Sequence, residues 1–148
     1  MHGDCIVEPT EGDRRFSMHN LVRDFMNPTL VYLPEETRPE IARQRIVQLG
    51  ITSVPVLDES RRPVGIVSLR DLLGSSDTDL DPITRPAKTI GSGEPVQTAA
   101  RLLVENDIHH LVVVDPEGRA IGMISTLDIL RSTLGLTPKH PAAIDRVQ

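Results

Sequence analysis

The sequence predicts an α/β (α+β) fold made of two β-α-β-β-α units packed by pseudo-twofold symmetry. Three observations point there. The chain repeats itself: IVQLGITSVPVLDESRRPVGIVSLRDLL (46–73) lies without a gap on LVENDIHHLVVVDPEGRAIGMISTLDIL (103–130) at an offset of 57, with nine of 28 positions identical. Each copy holds two short apolar runs separated by a polar bend, the pattern of a buried strand pair. Each copy spans only about 50 residues, too few to close a core alone, so the two must pack on each other.

The elements follow in order. Each unit opens on a short extended piece, LVYL (30–33) or AKTI (87–90). In the first unit Thr37-Arg38-Pro39-Glu40 has the pattern of a capping box with a proline in the first turn, which predicts a helix start. In the second, Val96, Ala99, Ala100, Leu103 and Val104 recur at helical spacing and predict one apolar face. VPVL and LVVV, each followed by an aspartate (Asp58, Asp115), suit buried strands. ESRR and PEGR suit turns, VGIVS and IGMIS second strands, and SLRDLL and STLDIL the starts of short helices. The expected divisions are an arm (1–20), a first unit (21–75), a linker (76–81), a second unit (82–135) and a tail (136–148). The proline and charge content of both ends predicts mobility.

Composition narrows the function. The chain has 148 residues, 39% hydrophobic and 25% charged, with a net charge of −5. Its one cysteine, Cys5, cannot form an internal disulfide, and Cys/His metal-ligand spacing is absent. No apolar run reaches the ~20 residues of a membrane span, and the polar start is not a signal peptide, so a cytoplasmic protein is expected. Phe16, Phe25 and Tyr32 are its only aromatics, and with the acidic balance this argues against nucleic-acid binding. G-x-S-x-G, P-loop and H-E-x-x-H motifs are missing, so neither an enzyme nor a required cofactor or metal is expected.

The repeated G-h-h-S-x-x-D carries the chemistry. Ser68 and Asp71, like Ser125 and Asp128, stand where a strand turns into a helix. One reading is a capping box, enough reason for both residues to exist. The other is a ligand corner: the aspartate would repel a phosphate but can accept both hydroxyls of a ribose. The residues leave both open, and one group can serve both ends.

GITSVPVLD…GIVSLRDLL and DIHHLVVVD…GMISTLDIL each resemble a CBS domain, and two in register resemble the tandem pair called a Bateman module. The resemblance covers roughly 21–135. It implies a regulatory module that binds AMP, ADP, ATP or a related adenosyl ligand in clefts built across the pseudo-twofold, and that transmits a conformational change to an effector protein. It implies a first cleft of Ser68, Asp71, Arg70, Ile83, Lys88 (through its backbone), Ile108 and His109. A second would take Ser125, Asp128, Met26, Val31, Ile51 and Thr52. His110 is a candidate phosphate contact, with Arg61, Arg62 and Arg119 as further cations. Leu127 stands where the first unit has Arg70, and Val112 where it has Pro55, so unequal clefts are expected. A homodimer paired through helices is also implied. The alternative is a structural or dimerisation module whose clefts are vestigial.

Overall fold

The computed structural model describes residues 20–69 and 83–139. Helix α1 (Val22–Phe25) comes first, then β1 (Leu33–Pro34), α2 (Pro39–Leu49), β2 (Ser53–Leu57) and β3 (Pro63–Ser68). The second unit follows with β4 (Thr89–Gly91), α3 (Val96–Asn106), β5 (His110–Val114), β6 (Ala120–Ser125) and α4 (Thr126–Thr133). The strands form two three-stranded sheets, β1-β2-β3 and β4-β5-β6, each with a parallel and an antiparallel pairing. The helix begun by SLRDLL falls largely outside the described residues, as do the arm and most of the tail.

The two hairpins share one construction. Asp58 Oδ1 accepts the Ser60 and Arg62 N–H groups, and Asp115 Oδ1 accepts those of Glu117 and Arg119, all at 2.9–3.0 Å. Each aspartate thereby fixes its own turn, and the left-handed residue falls at Arg61 in one and Gly118 in the other. A bulge follows at matching places, between Val56 and Leu57 and between Val113 and Val114.

Three expectations need correction. The capping box at Thr37 does not form: Arg38 is the N-cap, without a side-chain bond, and the Thr37 N–H turns back to Pro34 O. Pro39 begins the helix instead, at a position whose N–H would lack a partner anyway. Val104 is not on the buried face of α3, being 80% exposed; Val96, Ala99 and Leu103 are buried, with Leu102 packed beside them. Strand β1 is shorter than LVYL, and it starts one residue later than the matching point of β4 because Pro55 has no N–H. In the second unit the Val112 N–H donates to Lys88 O at 3.1 Å, whereas Pro55 cannot return that bond to Val31, so β1 starts only at Leu33.

The units are interleaved along their edges. Asn27 exchanges two backbone hydrogen bonds with Met123 on β6 (2.7 and 3.1 Å), and Thr84 exchanges two with Ile66 on β3 (2.8 and 3.0 Å). Both pairs sit at the 57-residue offset. Gly65 and Gly122 make this approach feasible: a Cβ on Gly65 would meet the Ile83 side chain, and one on Gly122 would lie 2.5 Å from Asn27 O. Helix α1 therefore buries Val22 and Phe25 in the core of the second unit, with Leu111, Ile124 and Ile129. The first unit closes its own core around Ile46, Val54, Val56 and Val67. A third cluster (Leu57, Val112 and Ala120, flanked by Leu30, Ile66, Ala87 and Met123) joins the two.

Candidate functional site

The second strand-to-helix corner is fully described. Ser125 is extended (φ −113°, ψ 168°) and caps α4. Its backbone N–H and its hydroxyl both donate to Asp128 Oδ2, at 2.8 and 2.9 Å, and the Asp128 N–H donates back to Ser125 Oγ at 3.3 Å. Capping thus holds as the sequence suggested, and it fixes Asp128, only 6% exposed, in one orientation. Both side-chain bonds fall on Oδ2, which leaves the Oδ1 lone pairs to accept a hydroxyl pair from a ligand. Register places His110 directly opposite Ser125, and His109 O accepts the Thr126 N–H at 3.0 Å. Met26 reaches this sheet from the other unit, its Sδ 3.0 Å from where a Gly122 Cβ would stand.

Burial holds the His110 imidazole below its ordinary value, repulsion from His109 adds to that, and attraction to Asp128 opposes it. The ring is therefore uncharged at neutral pH. His109 is exposed.

The first corner repeats the plan as far as it is described. Ser68 pairs with Ser53 across β2 and β3, the Leu69 N–H donates to Thr52 O at 2.9 Å, and Ile83 packs over Gly65. Arg70 and Asp71 lie outside the described residues. Lys88 is exposed and its carbonyl is committed to Val112. Val31, at the matching place in the first unit, is exposed.

The sequence set Ile108 and His109 with Ser68, and Ile51 and Thr52 with Ser125. In the structure Ile108 packs on the second core and His109 O accepts the Thr126 N–H; Ile51 packs on the first core and Thr52 O accepts the Leu69 N–H. Beside Gly122 and Gly65, contacts across the pseudo-twofold come from Met26 and Asn27 on one side and Ile83 and Thr84 on the other. Asn27 and Thr84 were not singled out from sequence; the paired glycines, 65 and 122, were the available signal.

The hairpin cations serve another purpose. Arg62 Nη2 donates to Glu117 O at 3.1 Å, Arg61 O accepts the Ala120 N–H at 2.9 Å, and the Arg61 guanidinium lies 5.4 Å over the Tyr32 ring. Arg119 bonds Asp115 at 3.2 Å. These residues link the two hairpin tips, and Arg62 and Ser68 are six positions apart along an extended strand, a distance of ~20 Å. None is placed to meet a phosphate at either corner. Among the described residues no helix is long and apolar enough to cross a membrane, and no three His, Cys, Asp or Glu side chains gather as a metal would require.

The CBS domain family matches residues 22–77 and 78–135. The chain belongs to that family, as a tandem pair of CBS units. It is 31% identical over 128 residues to a homoserine O-acetyltransferase from Methanosphaerula palustris, covering 84% of this chain and 26% of that protein. Across the curated relatives it matches first, the chain spans between about a quarter and about half of their length. Among solved structures, CBSX2, an Arabidopsis thaliana protein crystallised with AMP, is 29% identical with a TM-score of 0.68, over 77% of this chain and 96% of that one. The CBS domain pair of protein MJ0100, crystallised with 5′-methylthioadenosine and S-adenosyl-L-methionine, is 25% identical with a TM-score of 0.67, over 76% and 94%.

Proposed function

We propose that this CBS pair is a cytoplasmic, non-catalytic regulatory module that binds an adenine nucleotide or related adenosyl ligand and transmits the bound state to an effector protein. The observation that carries the reading is the Ser125–Asp128 corner, whose buried carboxylate is held in one orientation by its own cap, with both of those bonds on Oδ2. The AMP complex of CBSX2 and the adenosyl complexes of MJ0100 support it. A ligand here would shift the arrangement of the two units by its differential affinity for two states. Val47 and Val104, exposed at matching points of α2 and α3, together with Leu130, support a homodimer paired through helices.

A second reading is favoured by one observation. The Ser125–Asp128 capping box is complete, so both residues already have a structural role. A scaffold with vestigial clefts would look the same at this corner. A thermal-shift panel of AMP, ADP, ATP, S-adenosylmethionine and NAD separates the two. A sensor gains stability with at least one adenosyl ligand and loses the gain in Asp71→Ala or Asp128→Ala. A scaffold shows no shift with any ligand, while both variants melt lower.

A further inference from the structure

Packing divides the chain differently from the repeat. The segment 20–27, which precedes the first repeat, belongs with the second unit: Val22 and Phe25 sit in its core, the Arg23 N–H donates to Ser92 O at 3.0 Å, and Asn27 pairs with Met123. Ile83 and Thr84 belong in the same way with the first unit, against Gly65 and Ile66. Two bodies result, and the chain passes between them at 28–30 and 85–87. They meet over Leu57, Val112 and Ala120. The contact is graded: Leu57 and Ala120, beside the hairpin tips, are 1% and 3% exposed, whereas Ile66 and Met123, nearer the strand-to-helix corners, are half-buried.

The tips are also bonded directly. The Ala120 N–H donates to Arg61 O at 2.9 Å, from one body to the other. At the 57-residue offset the matching bond would run from residue 63 to Gly118 O, but Pro63 has no N–H to give. Arg62 supplies the second bond from its side chain instead. Its Nη2 donates to Glu117 O at 3.1 Å, and its Nε lies 3.5 Å from where a Gly118 Cβ would stand. The matching arginine of the second copy stays within its own turn, where Arg119 Nε donates to Asp115 Oδ2 at 3.2 Å. The turn that carries Arg62 is held through the backbone, with the Arg62 N–H on Asp58 Oδ1, so its guanidinium is not needed at home.

We infer that the hairpin tips are the joint of the molecule, that the Arg62 side chain clasps this joint, and that the two bodies articulate about it. Any rearrangement of the pair then moves the corner end most and the tips least. This holds whatever the corners bind, and does not depend on the adenosyl-ligand reading.

The test is amide hydrogen exchange of the full chain by NMR, with no ligand added. Three N–H groups report: Ala120 bonds across the joint, while Met123 and Thr84 each bond within one body. Arg62→Ala should speed exchange at Ala120 about five-fold, the effect of one exposed hydrogen bond, and leave Met123 and Thr84 within about two-fold of wild type. Arg62→Lys keeps a donor and should stay near wild type at all three. Arg101→Ala, at an exposed arginine of α3, is the control and should move none of them. An unchanged Ala120 in Arg62→Ala would overturn the clasp. Ala120, Met123 and Thr84 accelerating together would overturn the joint, because the two halves would then open as one body. The direction of movement is read from spin labels in a Cys5→Ser background, which removes the one native cysteine. Labels at Glu59 and Pro116, exposed at the two tips, should give a narrower distance distribution than labels at Thr52 and His109, exposed at the corner end. Arg62→Ala should widen the tip distribution. Equal widths in the wild type, or a wider one at the tips, would refute articulation about this end.

Discussion

Replacing Gly122 by alanine puts the interleaving of the two units to a direct test. The added Cβ would lie 2.5 Å from Asn27 O and 3.0 Å from Met26 Sδ. The methionine can swing away, but Asn27 O is backbone and must retreat by about 0.5 Å to reach even a severe contact. That oxygen already accepts the Met123 N–H at 3.1 Å, and its retreat carries the bond, with its 2.7 Å companion, toward breaking. Two hydrogen bonds at about 1 kcal/mol each, plus some loosening of Val22 and Phe25 from the second core, give a loss of about 2–4 kcal/mol. For a domain of this size that lowers Tm by roughly 10 °C. Chemical and thermal denaturation of Gly122→Ala and Gly65→Ala should show comparable losses, because Gly65 meets Thr84 O at 2.9 Å in the matching contact. Gly93→Ala is the control: nothing stands within 4 Å of its Cβ and its φ is not positive. If Gly122→Ala melts as close to wild type as Gly93→Ala, the edge pairing described above is wrong.

Other substitutions read different features. Asp107 ends α3 in the left-handed region (φ 52°) at the place where Gly50 ends α2, so Asp107→Gly should raise stability by about 0.5–1 kcal/mol in a urea titration. Ser125→Ala should cost about 1 kcal/mol, whereas Thr37→Ala, at the cap that does not form, should stay within about 0.5 kcal/mol; paired melts compare them. His110 has a depressed folded value, so the unfolded chain binds the proton more readily. Its contribution to stability is full above the ordinary 6.5 and is lost as pH falls through the lower folded value. Melts between about pH 7.5 and pH 5 should therefore fall less steeply in His110→Gln than in wild type.

Much of this was legible in the sequence because the duplication supplied its own control. ESRR/PEGR, Gly65/Gly122 and Ser125 read correctly as turn, strand and cap, since each is fixed by contacts within a few residues or by a position shared between copies. The failures were non-local. Val104 fits the helical period of its face, but burial depends on which elements pack there, and that face stops at Leu103. The shortening of β1 is written in Pro55, more than twenty residues from Val31, and becomes legible only when their pairing is known. The basic hairpin residues, candidate cations in a solvated turn, gave no sign of their pairing because nothing in one copy says that the tip of the other lies against it. For the clefts, residue types could be named from the repeat, while Ile51 and Ile108 also pack on the cores of their own units.

The exchange of edges also bears on how such a chain can be cut. Val22 and Phe25 are encoded before the first repeat yet complete the hydrophobic interior of the second, while Thr84, encoded after the first repeat, supplies the outer backbone partner of β3. A fragment from 78 to 135 would lack two of its buried side chains, and a fragment from 22 to 77 would carry those two with nothing to bury them. The smallest heritable piece of this architecture is therefore the duplicated pair. Gene fusion or transplantation should move both copies together with the segment that precedes them, and a junction placed after Phe25 should yield an insoluble product.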